Sequence, residues 1–119
     1  MKIKVTANNS LYGVEREVET NARHKITLKS LVGLTERYKN IPEQHFFVAD
    51  IFQNISPSPR GLPREVNYNL EPYVCVGFAN RIILGSRGRR MYAYRANLEK
   101  LAEIKAEIKE RVRCGYCGK

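Results

Sequence analysis

The chain lacks any long apolar run, and its 119 residues contain only three cysteines. A membrane-spanning helix needs about 18 or more consecutive apolar residues, so none is predicted. The first residues do not form the apolar stretch of a secretion signal, because Lys4 interrupts them and polar residues follow. Secreted disulfide frameworks usually pair their cysteines, whereas three is an odd number. We therefore expect a soluble, cytoplasmic protein with no membrane partner.

Residues that form common catalytic sites are also sparse. His24 and His45 are the two histidines, and neither has metal-ligand spacing or a neighbouring serine or cysteine nucleophile. A magnesium-dependent nuclease generally needs clustered carboxylates. The single aspartate, Asp50, would meet Glu43 and Glu65 only if the fold brought them together. We assign no catalytic residue and expect a protein without enzymatic activity, with a small metal-dependent nuclease as one alternative.

What the chain does have is basic charge in an otherwise ordinary composition. The formal net charge is +9, the sequence pI is about 9.7, and 43% of the residues are hydrophobic. Such a composition is typical of a globular protein, and the length is that of one domain. We predict a single α+β domain over residues 1–119, with a short cysteine-containing tail at 114–119. The basic charge favours nucleic acid or another anionic partner.

The first half of the chain predicts a hairpin and two helices. Residues 2–6 and 12–18 alternate apolar and polar side chains around a turn, as β-strands do. Thr27 is a candidate N-cap for a helix that continues to Tyr38. Apolar residues at three- and four-residue steps then predict a second helix, about 42–55. A buried strand over residues 45–52 is the alternative, because the same stretch is rich in phenylalanine.

The second half predicts three strands and a final helix. Three prolines in residues 56–64 indicate a stiff loop. An apolar segment, 73–78, predicts a strand buried on both faces, and residues 81–95 predict a hairpin. Asn97 is a candidate N-cap for an amphipathic helix, about 98–113. The predicted order is ββααβββα, an antiparallel meander packed by the C-terminal helix and a central helical pair.

The predicted hairpin, residues 81–95, concentrates charge. It holds five arginines and no acidic residue, and so carries +5 of the formal net charge of +9. A four-residue loop would place Leu84 opposite Met91 and the strand residue Arg81 opposite Tyr94. Arginine binds phosphate through a planar, bidentate fork, so this surface predicts phosphate contacts. The candidate contact residues of the hairpin are Arg81, Arg87, Arg89, Arg90 and Arg95.

Two tyrosines lie beside these arginines. Tyr92 and Tyr94 fall on the same predicted strand face as Arg81, and aromatic rings interleaved with arginine are typical of base stacking. The alternative is that both rings belong to the hydrophobic core. Arg60 and Arg64 in the proline-rich loop are further candidates that would extend the basic surface.

The C-terminal tail carries a zinc-knuckle spacing. Cys114 and Cys117 are separated by two residues and have glycines nearby, which resembles half of a tetrahedral thiolate site. Because the remaining Cys75 lies in a segment predicted to be buried, a complete site would require a second chain, and hence a homodimer. A disulfide or two free thiols are the alternatives.

Three functions follow from these patterns. The first is a non-enzymatic nucleic-acid-binding protein that uses the hairpin, with DNA and RNA both possible ligands. The second is an inhibitor or assembly factor that recognises an acidic protein surface. The third is the small nuclease.

Overall fold

Four helices and two antiparallel sheets form one α+β domain. The computed structural model describes residues 1–55, 61, 63–85 and 91–109. The predicted class is confirmed, and the element order agrees roughly with the predicted one. In chain order the elements are β1 Lys2–Val5, β2 Arg16–Glu19, α1 Ala22–Arg37, β3 Phe46–Phe47, α2 Val48–Gln53, α3 Glu65–Cys75, β4 Ala79–Leu84, β5 Met91–Ala96, a 3-10 turn Leu98–Lys100 and α4 Leu101–Lys109.

The N-terminal hairpin is present as predicted, but its second strand begins at Arg16, and residues 12–15 of the predicted strand belong to the loop. Strands β1 and β2 pair antiparallel, with Ile3 opposite Val18 and Val5 opposite Arg16. Ile3, Val5 and Val18 are buried while their neighbours along the strands are exposed or half-buried. The alternation of apolar and polar residues therefore indicates which face of this two-stranded sheet packs against the rest of the domain.

Helix α1 begins earlier than Thr27. Asn21 is its N-cap and accepts hydrogen bonds from the backbone N–H groups of Arg23 and His24. In return, Nδ1 of His24 accepts from the backbone N–H of Asn21, which completes a reciprocal capping box. The predicted N-cap is wrong because histidine takes the place in which a capping box usually has glutamate or glutamine. Thr27 lies inside the helix, where its hydroxyl donates to the carbonyl of Arg23.

The sequence predicts either a helix over residues 42–55 or a strand over residues 45–52, and the structure has a short strand followed directly by a helix. Phe46 and Phe47 form the short strand β3, and α2 follows directly from Val48 to Gln53. The backbone of Phe47 is extended, and this residue is the N-cap of α2. The predicted helix over residues 42–55 is therefore too long. The alternative prediction, a strand over residues 45–52, is right only for Phe46 and Phe47.

The predicted strand over 73–78 is wrong, because α3 occupies residues 65–75. Val66, Leu70 and Tyr73 recur at helical spacing and are fully buried. The helix ends at Cys75, and Gly77, two residues later, adopts a φ of +80°. The N–H of Phe78 donates to the carbonyl of Tyr73 at 2.9 Å, and the N–H of Gly77 donates to the carbonyl of Val74 at 3.2 Å. These two bonds form a Schellman motif, and the rings of Tyr73 and Phe78 stack, so the apolar run caps a helix.

The second sheet has the order β3-β5-β4. Its β4–β5 hairpin has the predicted register, with Leu84 opposite Met91 and Arg81 opposite Tyr94. The third strand is β3, which pairs through Phe46 opposite Tyr94, so the sheet is not the predicted meander of consecutive strands. A strand distant in sequence takes the free edge of β5 because residues 73–75 are helical.

The C-terminal helix packs over the core. Asn97 acts as an N-cap as predicted and accepts from the N–H of Glu99, but the first turn is a 3-10 turn. In α4, Ile104 is fully buried and Ile108 packs against the same core. Residues 110–113 of the predicted helix lie outside the described residues. Within the described part of the chain, no helix is long and apolar enough to cross a membrane.

Candidate nucleic-acid interface

Arg81 and Tyr92 lie side by side on one face of the β4–β5 hairpin. Arg81 is opposite Tyr94 and Ile83 is opposite Tyr92, so the arginine and Tyr92 are diagonal neighbours. The Cζ atom of Arg81 is 5.8 Å from the centroid of the Tyr92 ring. Both side chains are half-buried. This cation–π contact orients a guanidinium group near the surface.

Tyr94 belongs to the core. Its side chain is fully buried, and its hydroxyl donates to Oδ1 of Asn67 in α3 at 2.7 Å. Burial raises the pKa of the Tyr94 phenol well above its usual value, although the nearby Arg81 opposes that shift. Because the ring has no free face, the core alternative holds for Tyr94, and base stacking by this residue would require the domain to open.

The guanidinium group of Arg95 also forms hydrogen bonds within the protein. It donates from Nη1 to the carbonyls of Ile41 and Gln44, at 3.0 and 2.8 Å. A longer contact of 3.5 Å joins Nη2 to the carbonyl of Tyr38. The buried Arg95 therefore holds the chain between α1 and β3, and we leave it out of the proposed contact surface.

Seven other site residues are predicted from the sequence, and the structure describes one of them. Arg64 is exposed and occupies the N-cap position of α3. The tip arginines belong to the connection that joins Leu84 of β4 to Met91 of β5. Lying outside the described residues are Arg60, Arg87, Arg89, Arg90, Cys114 and Cys117.

A second arginine–tyrosine pair lies nearby that the sequence did not indicate. The Cζ atom of Arg16, in β2, is 4.6 Å from the ring centroid of Tyr68, in α3. Nη1 of Arg16 donates to Oε1 of Glu71, which is fully buried one turn after Tyr68. Tyr68 is 48% exposed, so its ring has one side on Arg16 and the other towards solvent.

One short loop connects the two pairs. Oε2 of Glu71 accepts from the backbone N–H of Leu11 at 2.9 Å. Nη2 of Arg81 donates to the carbonyl of Asn9, also at 2.9 Å. Residues two apart along a chain are separated by no more than about 7 Å. The Arg16–Glu71 pair and Arg81 are therefore held against the same three residues of the loop.

Each of these guanidinium groups keeps N–H groups that no protein atom uses. Among the described residues, Nε and Nη2 of Arg16 and Nη1 of Arg81 are buried and have no hydrogen-bond partner. A buried donor without a partner is costly, and native structures hold few of them. Nε and Nη2 of Arg16 form one edge of the guanidinium, and both atoms are shielded from solvent.

Helical spacing is the sequence pattern that could have identified Tyr68 as a candidate site residue. Arg64, Tyr68 and Glu71 stand four and three residues apart, which places them on one face of α3. The strand predicted over residues 73–78 hid this spacing. Nothing local marks Arg16, whose partners Tyr68 and Glu71 are far away in sequence.

The carboxylates of the nuclease alternative do not assemble into a metal site. No group of three or more His, Cys, Asp or Glu side chains able to hold a metal ion occurs among the residues that the structure describes. Glu65 instead lies 3.5 Å from Nη1 of Arg23.

Comparison of the chain with protein-family models, curated proteins and solved structures gives no match.

Proposed function

We propose that this protein binds nucleic acid without enzymatic activity and contacts phosphate groups through the β4–β5 hairpin. The observation that supports this most is the pair of guanidinium groups, Arg16 and Arg81, held beside one loop and each over a tyrosine ring. An arginine that is already oriented loses less conformational entropy when it binds an anion. Phosphate suits such groups because its oxygens accept hydrogen bonds from the N–H groups of a guanidinium.

The charge of the hairpin supports the same proposal. Three arginines, Arg87, Arg89 and Arg90, follow one another closely in the connection between β4 and β5. Like charges at this spacing repel, and an anionic partner relieves the repulsion. The proposed phosphate contacts are Arg81, these three arginines and one of the cations before α3, Arg60 or Arg64.

The order of elements favours duplex DNA over the other nucleic acids. Helix-turn-helix proteins place the second of two consecutive helices in the major groove of DNA. Helix α3 follows α2 and contacts it, and it exposes Arg64 and Tyr68 at its N-terminal end. The connection, residues 54–64, is longer than the turn of about three or four residues in that motif. This chain therefore resembles the helix-turn-helix motif only in the order of its elements.

The test is the salt dependence of binding to a labelled DNA duplex. Neutralising Z phosphates gives a slope of log K against log salt of about −0.9Z, so four or five contacts predict a slope of about −4. Replacing Arg87, Arg89 and Arg90 together by alanine should make the slope shallower by roughly 2–3. An RNA duplex of the same sequence, measured alongside, tests the preference for DNA.

A matched control removes three cations elsewhere. Lys29, Arg37 and Lys39 are exposed on α1 and just after it. Their joint replacement by alanine should leave the slope close to that of the wild type. If the hairpin variant keeps the wild-type slope, or if the control loses as much as the hairpin variant, the hairpin is not the binding element.

One feature favours the alternative of a protein partner. Leu84 and Met91 lie opposite each other near the end of the hairpin, and both are exposed. Phe47, on the neighbouring strand β3, is also exposed. Apolar side chains gathered on one sheet are typical of protein-binding surfaces. An acidic polypeptide that co-purifies with the protein and is lost in a Leu84→Ser, Met91→Ser double variant would support this alternative.

A further inference from the structure

The loop between β1 and β2 is held in one conformation by its own hydrogen bonds. Oγ of Ser10 accepts from the N–H groups of Tyr12 and Val14, at 3.2 and 3.3 Å. The N–H of Ser10 donates to the carbonyl of Thr6 at 2.9 Å, and that of Gly13 donates to the carbonyl of Ser10 at 3.2 Å. Gly13 has a φ of +69°, which side-chain-bearing residues rarely adopt. The loop is thus an ordered turn.

The same loop is fastened to the body from two sides. Glu71, which is fully buried, accepts from the N–H of Leu11, and Arg81 donates to the carbonyl of Asn9. A carboxylate is costly to bury, and here one of its oxygens holds the loop while the other accepts from Arg16. The position of the loop is therefore coupled to the two arginines of the proposed interface.

The ordered loop presents apolar side chains to solvent. Tyr12 is 78% exposed and Val14 is 59% exposed. A single exposed tyrosine is ordinary on a protein surface. Here, however, the exposed ring stands on a loop whose backbone is immobilised and is tied to Arg81 and to Glu71, the partner of Arg16. Such an arrangement lowers the conformational entropy that a ligand must overcome.

The chemistry that fits an exposed ring in this position is an unpaired nucleobase with its flanking phosphates. Every base has a π-face that stacks on tyrosine, whereas the bases of an intact duplex are already stacked on one another. Arg16 and Arg81, which are both half-buried, add positive charge that attracts the phosphates. The formal net charge of +9 on the chain favours a polyanion over a cationic ligand.

We propose that Tyr12 is a base-stacking residue, and that the ligand of this protein contains a single-stranded segment next to the duplex that the hairpin contacts. This inference rests on the proposed nucleic-acid binding. It adds to that proposal a third contact element, the Asn9–Val14 loop, and a preference for a duplex with an unpaired overhang over a blunt duplex.

The experiment compares two labelled DNA duplexes of the same sequence, one blunt and one with a single-stranded overhang that contains 2-aminopurine. Wild-type protein should bind the overhang duplex more tightly and quench 2-aminopurine fluorescence, because the fluorescent base stacks on Tyr12. Tyr12→Ala should weaken binding to the overhang duplex roughly 5- to 100-fold and abolish the quenching. Its affinity for the blunt duplex should stay within about twofold of wild type.

Two further variants make the test specific. Tyr12→Phe keeps the ring and should retain both affinity and quenching. Tyr38→Ala removes a tyrosine that is 42% exposed at the end of α1, and it should bind both duplexes as the wild type does. Circular dichroism of Tyr12→Ala should match the wild type, because an exposed side chain contributes little to stability.

The outcomes separate the two proposals. If wild-type protein binds both duplexes equally, or if Tyr12→Ala keeps the affinity and quenching of the wild type, the stacking proposal is overturned while nucleic-acid binding by the hairpin stands. If wild-type protein binds neither duplex at low salt, both proposals fall together.

Discussion

The hydroxyl of Tyr94 donates to Oδ1 of Asn67 at 2.7 Å and so joins strand β5 to helix α3. Tyr94 is opposite Arg81 in the hairpin, while Asn67 immediately precedes Tyr68. This hydrogen bond joins the two elements that carry Tyr92 and Tyr68, the tyrosines of the two arginine–tyrosine pairs. A residue expected to contact the ligand thus has a structural role.

The first prediction concerns this bond. Tyr94→Phe should lower the free energy of unfolding by about 1 kcal/mol, because the ring packing is kept while a buried hydrogen bond is lost. Urea denaturation followed by circular dichroism measures the change. Tyr38→Phe, at an exposed tyrosine, should remain within about 0.5 kcal/mol of wild type. Equal stability of Tyr94→Phe and the wild type would show that the bond contributes nothing.

The second prediction concerns the buried ion pair. Arg16→Ala should lower the free energy of unfolding by about 3 kcal/mol, because Glu71 is left buried without its cationic partner. The double variant Arg16→Ala, Glu71→Gln should recover part of the loss, since the neutral amide oxygen can still accept from Leu11. Chemical denaturation of the wild type, the double variant and the two single variants, Arg16→Ala and Glu71→Gln, gives the coupling energy. A double variant no more stable than Arg16→Ala would contradict the role of the unpaired charge.

The third prediction concerns pH and His24. Burial lowers the pKa of His24 below its usual value of 6.5, the charge of Arg16 lowers it further, and Glu107 partly offsets both. The unfolded state then binds more protons than the folded state, so the free energy of unfolding falls as the pH drops below about 6.5. Protonation of Nδ1 would also remove the acceptor of the capping box.

Stability measured by denaturation at pH 7.5 and 5.5 tests this prediction. His24→Gln should show a smaller loss between the two values, because glutamine can take the same place in a capping box without titrating. His45→Gln, at a histidine that is less buried, should keep the wild-type dependence. The same loss in His24→Gln as in the wild type would assign the pH dependence to other groups.

The fourth prediction concerns the cysteine tail. If Cys114 and Cys117 bind zinc, they supply two of four thiolates, so we expect close to one zinc ion per dimer. Native mass spectrometry should detect both together, and Cys114→Ser should release both. A zinc-free dimer or a zinc-loaded monomer would contradict this intermolecular site.

The sequence alone determined the elements whose pattern is local. The register of the β4–β5 hairpin follows from the side-chain alternation and a short connection, and every predicted pair is present. The presence of the N-terminal hairpin and the Asn97 cap also follow from signals within a few residues, although the second strand of that hairpin begins later than its alternation predicts. The charge of the hairpin is likewise a property of the sequence, and with it the expectation of an anionic partner.

Only the tertiary structure decided which elements meet. Residues 73–75 are helical because α3 buries Tyr73 and ends in a cap at Gly77, and the third strand of the sheet therefore comes from Phe46–Phe47. Arg16 meets Tyr68 and Glu71 across more than 50 residues of chain. Such contacts leave no local pattern, because burial and pairing across the fold depend on how separate elements pack. For the same physical reason, the sequence marked Tyr94 as a candidate ligand contact, whereas the packing of β5 on α1 and the hydrogen bond to Asn67 of α3 made it part of the core.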